Sequence, residues 1–207
     1  MPTTTRTLQV VLFEGFELLD VFGPLEILGS LGPELRLELV AANAPVIASF
    51  QGPRVAVDTI LESAGQAAWL LVPGGFGTRQ AIDDPRLIGW LSERAAAAEL
   101  VMTVCTGTAL VARTGLLDGH RATTNKRAFN WVAQQGEQVE WVREARWVRD
   151  RSFATSSGVS AGIDMALAIV AEFFGEERAE ALRVNTEYDW HRDPGWDPFA
   201  RLHGLVP

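Results

Sequence analysis

The sequence is poor in the residues that build disulfides and metal sites, because its 207 residues include one cysteine and three histidines. A single cysteine, Cys105, cannot form an intramolecular disulfide. The three histidines (His120, His191 and His203) do not show the spacing of a metal-binding motif. We therefore expect neither a disulfide framework nor a metal centre.

Long apolar runs and an excess of positive charge are also missing. No stretch approaches the roughly 18 apolar residues of a transmembrane helix, and the first residues lack the long uncharged core of a signal peptide. The formal net charge is −8, which opposes binding to a phosphate backbone. These absences predict a soluble cytoplasmic protein that binds neither a membrane nor nucleic acid.

Nucleotide-binding motifs are absent as well. The glycine-rich segment "PGGFGTRQ" lacks the Gly-Lys-Ser/Thr ending of a phosphate-binding loop. It also lacks the glycine spacing of a dinucleotide fingerprint. We expect no metal or organic cofactor.

Strand and helix patterns alternate through most of the chain. "TLQVVLF", "AAWLLVPGGFG" and "LVMTV" are typical of buried strands, whereas "DDPRLIGWLSERAAAAE" begins with acidic residues and Pro85, as helices often do. This alternation predicts an α/β sandwich around a mainly parallel sheet. We find no linker and no internal repeat, so residues 1–207 are predicted to form one domain with an irregular tail at 190–207.

Three local predictions concern the course of the chain. Pro24 lies inside a helical pattern and predicts a break or kink near Phe22 and Gly23. "PRVAVDTIL" has the alternation of one strand, and "RDRS" is typical of a hairpin turn between "ARWVRD" and "SFATSS".

Cys105 lies where an apolar strand meets a helical pattern, in "LVMTVCTGTALVARTGLL". In an open parallel sheet, this position is at the edge where ligands bind. A helix start behind it supplies free N–H groups and favours a thiolate. Gly107 would let that helix pack closely, and the N–H groups of Thr106 and Gly75 could face a developing oxyanion. The pattern alone fits a nucleophile and a buried cysteine in a tight turn equally well.

A carboxylate is the best candidate for an acid or base, because none of the histidines has an obvious pairing with Cys105. Asp20 lies in the apolar stretch "FELLDVFGP", where burial would raise its pKa and let it carry a proton near neutral pH. Glu14 and Glu17 compete for this role, and Asp20 could instead be a helix cap or turn residue. Asp164, in "SAGIDMAL", is interpreted as a satisfied core group or a group that supports the site, rather than as a catalytic residue.

Four segments together resemble the ThiJ/PfpI family of the class I glutamine amidotransferase-like superfamily. They are "VLFEGFELLDVFGPLEIL", "LLVPGGFGTR", "VCTGTALVARTGLLDGHRATTNK" and "TSSGVSAGIDMALAIVAEFFG". The resemblance implies a flavodoxin-like three-layer sandwich with Cys105 at a strand–Cys–helix nucleophile elbow and Asp20 facing it. It also implies a homodimer with the site near the subunit contact. Thr106 replaces the histidine of the peptidase-like branch, which counts against protease or amidase activity.

Within the family, the Asp20 segment and Cys-Thr-Gly are similar to isocyanide hydratases and to the sensor domains of AraC-type regulators. The resemblance implies a hydro-lyase that converts a small organic isocyanide to a formamide, with Cys105, Asp20 and Thr106 as catalytic residues. Gly74, Phe76 and Asn125 are the pocket candidates. The chain has "TTNK" where those relatives tend to have "TTHW", so Asn125 and Lys126 are expected to reshape the pocket.

Two other functions stay open at this stage. A cysteine beside a carboxylic acid suits a redox-responsive protein, because the acid can stabilise an oxidised sulfur. A non-catalytic small-molecule sensor is the other alternative. Residues 176–207, which follow the last of the four segments, are too few for a helix-turn-helix pair, so we do not expect a transcription factor.

Overall fold

The computed structural model describes residues 5–42 and 44–207. Within them the strands are β1 (Arg6–Leu12), β2 (Leu35–Ala41), β3 (Val46–Ala48), β4 (Arg54–Ala56), β5 (Thr59–Ile60), β6 (Trp69–Val72), β7 (Leu100–Val104), β8 (Arg121–Ala122), β9 (Glu140–Trp141), β10 (Trp147–Asp150) and β11 (Phe153–Ser156). The helices are α1 (Leu18–Gly29), α2 (Thr78–Ala81), α3 (Pro85–Ala97), α4 (Gly107–Arg113), α5 (Phe129–Ala133), α6 (Ala161–Phe174), α7 (Glu176–Asn185) and α8 (Pro198–Leu202), and a 3₁₀ turn (Gly32–Glu34) precedes β2.

The central sheet has the strand order β10-β11-β7-β6-β1-β2-β5. Its neighbouring strands run parallel except for β10, which pairs antiparallel with β11. The turn between these two strands places Arg151 at a φ of 50°, and this hairpin confirms the sequence prediction. Because β7, β6 and β1 are adjacent and parallel, the loops after them meet at one edge of the sheet.

Helices cover both faces of this sheet. Every residue of β6 and β7 is buried, as expected for strands enclosed on two sides. On one face α6 packs against α1 and α7, and Phe173 of α6 meets the Trp69 ring edge-on at 4.9 Å. On the other face α3 packs against α4. The predicted three-layer α/β sandwich with a mainly parallel sheet is confirmed.

Of the predicted break or kink at Pro24, the break does not occur, since α1 continues from Leu18 to Gly29. Packing against α6 holds the segment in place. A Cβ on Gly23 would lie 2.8 Å from Ile163, and one on Gly162 would lie 3.1 Å from the Pro24 ring. Contacts between the two helices therefore outweigh the local preference of proline to end a helix.

Two other local predictions were wrong. "PRVAVDTIL" forms two short strands, β4 and β5, because the Asp58 carboxylate accepts the N–H of Leu39 at 2.8 Å and turns the chain between them. The segment 190–207 is not wholly irregular, since it contains α8. The Asp197 side chain caps this helix by accepting the N–H of Phe199.

The helices of the described residues are short. The longest of them, α6, has 14 residues. None of the described helices combines the length and the apolar character needed to cross a membrane.

Candidate active site

Cys105 forms the turn between β7 and α4. Its φ of 57° is in the left-handed region, which a residue with a side chain rarely adopts. Only 6% of the residue is exposed. A strained backbone at a strand–helix junction is typical of a side chain held in place for chemistry.

Gly107 explains how α4 can begin so close to the sheet. A Cβ at this position would lie 2.2 Å from the carbonyl oxygen of Val72 and 2.6 Å from that of Pro73. Any side chain here would push the helix away from the β6 loop. The close packing predicted from the sequence is therefore confirmed.

Asp20 lies in the first turn of α1 and is fully buried. Its Oδ2 accepts the backbone N–H of Gly74 at 2.9 Å. Its Oδ1 is also buried and has no hydrogen-bond partner among the described residues. The carboxyl is thus held at one oxygen by the loop after β6, and its other oxygen makes no hydrogen bond within the described residues.

Burial raises the pKa of Asp20 well above its ordinary value of 3.8, and the negative charge of Glu17 adds to the rise. The Gly74 N–H and, more weakly, the Cys105 thiol stabilise the charged form and oppose it. The rise in the pKa of Asp20 agrees with the sequence prediction. The influence of the thiol on this pKa indicates that Asp20 lies near Cys105, and the N-cap position of α1 is occupied by Glu17 instead.

The predicted stabilisation of a thiolate is wrong for the protein without substrate. Burial raises the pKa of Cys105 well above its ordinary value of 9.0, and the neighbouring Asp20 charge raises it further. The N–H and hydroxyl of Thr106 lower it by a smaller amount. A neutral thiol is therefore the resting form, because loss of water and a nearby carboxylate outweigh the adjacent donors.

Thr106 joins the two glycine-bearing loops. Its Oγ1 accepts the N–H of Gly75 at 3.0 Å and lies 2.9 Å from Oγ1 of Thr78. The Gly75 N–H is thus already engaged and does not face an open oxyanion position, contrary to the sequence prediction. Gly75 holds Thr106 in place, and the N–H of Thr106 is directed at the sulfur.

A cavity of about 270 Å³ opens over the sulfur. Its walls are formed by Glu17, Gly75, Phe76, Arg79, Cys105, Thr106, Asn125, Arg127, Ala128 and Val159. Five of the predicted site residues therefore meet at one cavity, namely Gly75, Phe76, Cys105, Thr106 and Asn125. Gly74 is not in its wall, because it is buried beneath and binds Asp20.

Lys126 does not reshape the cavity, which corrects the sequence prediction. Its side chain turns inward, where Nζ lies 3.0 Å from Oδ2 of Asp197 and donates to the carbonyl of Ala145 at 2.8 Å. Asn125 faces the cavity instead, with its Oδ1 accepting the N–H of Ala128. Of the two residues that differ from "TTHW", Asn125 and Lys126, only Asn125 thus reaches the cavity.

Gly158 is a site residue that the sequence reasoning missed. A Cβ on Gly158 would lie 2.9 Å from the Cys105 sulfur and 2.3 Å from Nδ2 of Asn125. The residue keeps open the space between these two groups. The run of small residues in "TSSGVSAG" before α6 was the available signal, because small residues often permit close approach of a ligand or backbone.

The three histidines lie elsewhere. His120 is beside Asp150 at 3.3 Å, the ring of His191 stacks on Trp196 at 4.3 Å, and His203 follows α8. Within the described part of the chain, no group of three or more histidine, cysteine, aspartate or glutamate side chains could hold a metal ion.

Asp164 is a satisfied core group, as predicted. Its Oδ2 accepts from Nε of Arg146 at 2.6 Å, and its Oδ1 accepts the backbone N–H of His191 at 3.0 Å. Oδ1 therefore holds the tail segment against α6, and Oδ2 holds Arg146 just before β10.

The arrangement pairs a neutral thiol with a buried carboxyl, so a proton can pass between them while the sulfur forms a bond. Comparison with known proteins gives the context for this pair. The model of the DJ-1/PfpI family matches residues 6–172. This range includes Asp20, Cys105 and Gly158.

The relatives of this chain include an enzyme and transcriptional regulators. Isonitrile hydratase of Pseudomonas putida is 32% identical over 86% of this chain and 76% of its own length. The HTH-type transcriptional regulator CdhR of Pseudomonas aeruginosa is 32% identical over 68% of this chain, which spans only 41% of that regulator. Among solved structures, a ThiJ/PfpI family protein from Pseudomonas syringae has a TM-score of 0.84 and 29% identity, covering 94% of this chain and 79% of its own.

Proposed function

The chain belongs to the DJ-1/PfpI family, and we propose that it is a cysteine-dependent hydratase that converts a small organic isocyanide to an N-substituted formamide. The identity to an isonitrile hydratase over most of both chains supports this activity. Family membership alone does not require it, because relatives of similar identity include a transcriptional regulator.

The observation that carries the proposal is the buried carboxyl of Asp20 beside the Cys105 thiol. Oδ2 is held by Gly74, and Oδ1 has no partner among the described residues. Hydration of an isocyanide requires a nucleophile and a proton delivered to the same carbon. A thiol and a carboxyl with one free oxygen can supply both.

In the first half of the reaction, the Cys105 sulfur attacks the terminal carbon of the isocyanide and forms a C–S bond. As the bond forms, the Asp20 carboxyl delivers its proton to the same carbon and takes up the thiol proton in exchange. The product is a thioimidate with a C=N bond. Proton transfer in step with attack explains how a thiol with a raised pKa can act as the nucleophile.

In the second half, water adds to the thioimidate carbon, and one of its protons goes to nitrogen. The C–S bond then breaks, and the hydroxyl proton returns through Asp20 to the sulfur. The net reaction adds one water to the isocyanide and releases the formamide. We assign to the N–H of Thr106 the stabilisation of the polar intermediate.

Hydration is favoured over the two other functions for physical reasons. Peroxide oxidises the thiolate, and burial and Asp20 keep the pKa of Cys105 high, which disfavours a redox role. A sensor that only binds its ligand needs no proton carrier beside a cysteine. We therefore assign the Asp20–Cys105 pair to catalysis.

We also propose that the protein is a cytoplasmic homodimer. Leu19 and Phe22 of α1 are 41% and 42% exposed. They border an apolar hollow that Ile163 and Tyr188 complete. An exposed apolar face of this kind supports a subunit contact. Sedimentation of the wild-type protein and of Phe22→Arg tests it, since only the wild type should sediment as a dimer.

The reaction is tested by product analysis at neutral pH with a small alkyl isocyanide in isotopically labelled water. We expect a formamide whose formyl oxygen carries the label, at a rate well above that of buffer alone. Loss of isocyanide without labelled formamide would overturn the proposed function.

A further inference from the structure

The cavity over Cys105 carries two arginines that no part of the reaction above uses. Arg79 of α2 and Arg127, after the Asn125 loop, both line its walls. The deeper part of the cavity ends at Cys105, which is 6% exposed, while both arginines are exposed to solvent. A bound molecule with its reactive carbon at the sulfur would extend toward them.

Arg79 is held in position by aromatic rings rather than by a carboxylate. Its guanidinium carbon lies 4.6 Å from the centre of the Trp131 ring and 5.5 Å from that of Phe76. Phe76 in turn stacks on Phe50 with ring centres 4.5 Å apart. Ring contacts fix the guanidinium plane and leave its N–H groups free to donate.

The charges of the cavity are not balanced. Among the described residues, neither Arg79 nor Arg127 has a carboxylate within ion-pair distance, whereas Arg6, Arg146 and Arg149 of the same chain do. The single carboxylate in the walls, that of Glu17, accepts a hydrogen bond from the Gln51 amide. The mouth is thus locally positive in a chain of net charge −8.

We propose that the substrate carries a carboxylate, which Arg79 and Arg127 bind at the mouth while the electrophilic carbon reaches Cys105. This inference rests on the proposed function and narrows its substrate class to isocyanides with an anionic group. Arginine suits the role because its planar donors match the two oxygens of a carboxylate.

A matched pair of substrates tests the proposal, namely isocyanoacetate and its methyl ester, which differ in the negative charge. We expect the wild type to favour the anion in kcat/KM by roughly fivefold or more, the scale of a partly solvated ion pair. Arg79→Met and Arg127→Met should each reduce that preference. Arg113→Met, at the far end of α4 and outside the cavity walls, should leave it unchanged.

Binding of the products separates this proposal from the proposed function. By calorimetry, the wild type should bind N-formylglycine more tightly than its methyl ester, and the two arginine variants should lose the difference. If neither isocyanide is hydrated but this binding preference holds, the hydratase fails and the anion site stands. If both are hydrated without a preference for the anion, or the arginine variants keep it, the anion site is overturned.

Discussion

The N–H of Gly74 and Oδ2 of Asp20 form a buried hydrogen bond of 2.9 Å that links the β6 loop to the start of α1. The bond leaves Oδ1 of the same carboxyl without a partner among the described residues. Asp20 is thus oriented by one oxygen and available through the other. The proposed proton transfer depends on this difference between the two oxygens.

Replacement of Asp20 by asparagine should remove most of the hydratase activity. The amide keeps the size of the side chain and an oxygen for the Gly74 N–H, but it cannot carry the proton. We expect kcat to fall by about 10²–10⁴-fold, the usual contribution of a positioned acid or base. Glu93→Gln, an exposed charge loss on α3, is the control, and an Asp20→Asn enzyme as fast as this control would contradict the role.

Asp20→Asn should also change how the free energy of unfolding depends on pH. The pKa of Asp20 is raised in the folded protein, so the folded state binds the proton more tightly than the unfolded chain, whose pKa is near 3.8. Protonation of Asp20 therefore stabilises the folded protein fully below pH 3.8. This stabilisation is lost as the pH rises through the pKa of Asp20 in the folded state. Denaturant unfolding from pH 4 to pH 8 should therefore show wild type losing stability relative to Asp20→Asn, and a constant difference across that range would contradict the shift.

Gly158→Ala should block the cavity while the protein stays folded. Its added Cβ would lie 2.9 Å from the Cys105 sulfur and 2.3 Å from Nδ2 of Asn125, so either group must move. We expect kcat/KM to fall and the reaction of Cys105 with a thiol reagent to slow. Gly89→Ala is the matched control, since its Cβ meets nothing within 4 Å, and equal activity in the two variants would count against the placement of Gly158.

Lys126→Met should destabilise the protein strongly. Lys126 and Asp197 have side chains only 1% and 0% exposed, so removal of the lysine leaves a buried carboxylate without its partner. The expected loss in the free energy of unfolding is about 3–5 kcal/mol. Arg178→Met, from a solvent-exposed ion pair with Glu34, should cost less than about 1 kcal/mol. Similar unfolding midpoints for the two variants would refute the assignment.

The sequence predicts the fold, the turn at Cys105 and the burial of Asp20 because all three rest on local patterns. An apolar strand that runs directly into Cys105 and Gly107 predicts the turn. An aspartate among apolar neighbours predicts a buried carboxyl at residue 20. The four motifs add the order of the elements.

The remaining features depend on contacts between distant segments. The raised pKa of Cys105 arises from burial and from Asp20. The prediction of a thiolate considered only the N–H groups and the dipole at the start of the helix, and so included neither effect. Lys126 points inward because it forms a buried ion pair with Asp197. The Gly75 N–H is engaged because Thr106 reaches it across the loops. None of these partners is adjacent in the sequence.

The most direct test of the central claim is the rate of formamide formation from one isocyanide by the wild type and by Cys105→Ser, both shown to be folded by circular dichroism. If the Cys105 sulfur forms the bond to carbon, the variant should lose activity by on the order of a thousandfold or more, down to the rate in buffer. Equal rates for the two proteins would contradict a cysteine-dependent hydratase.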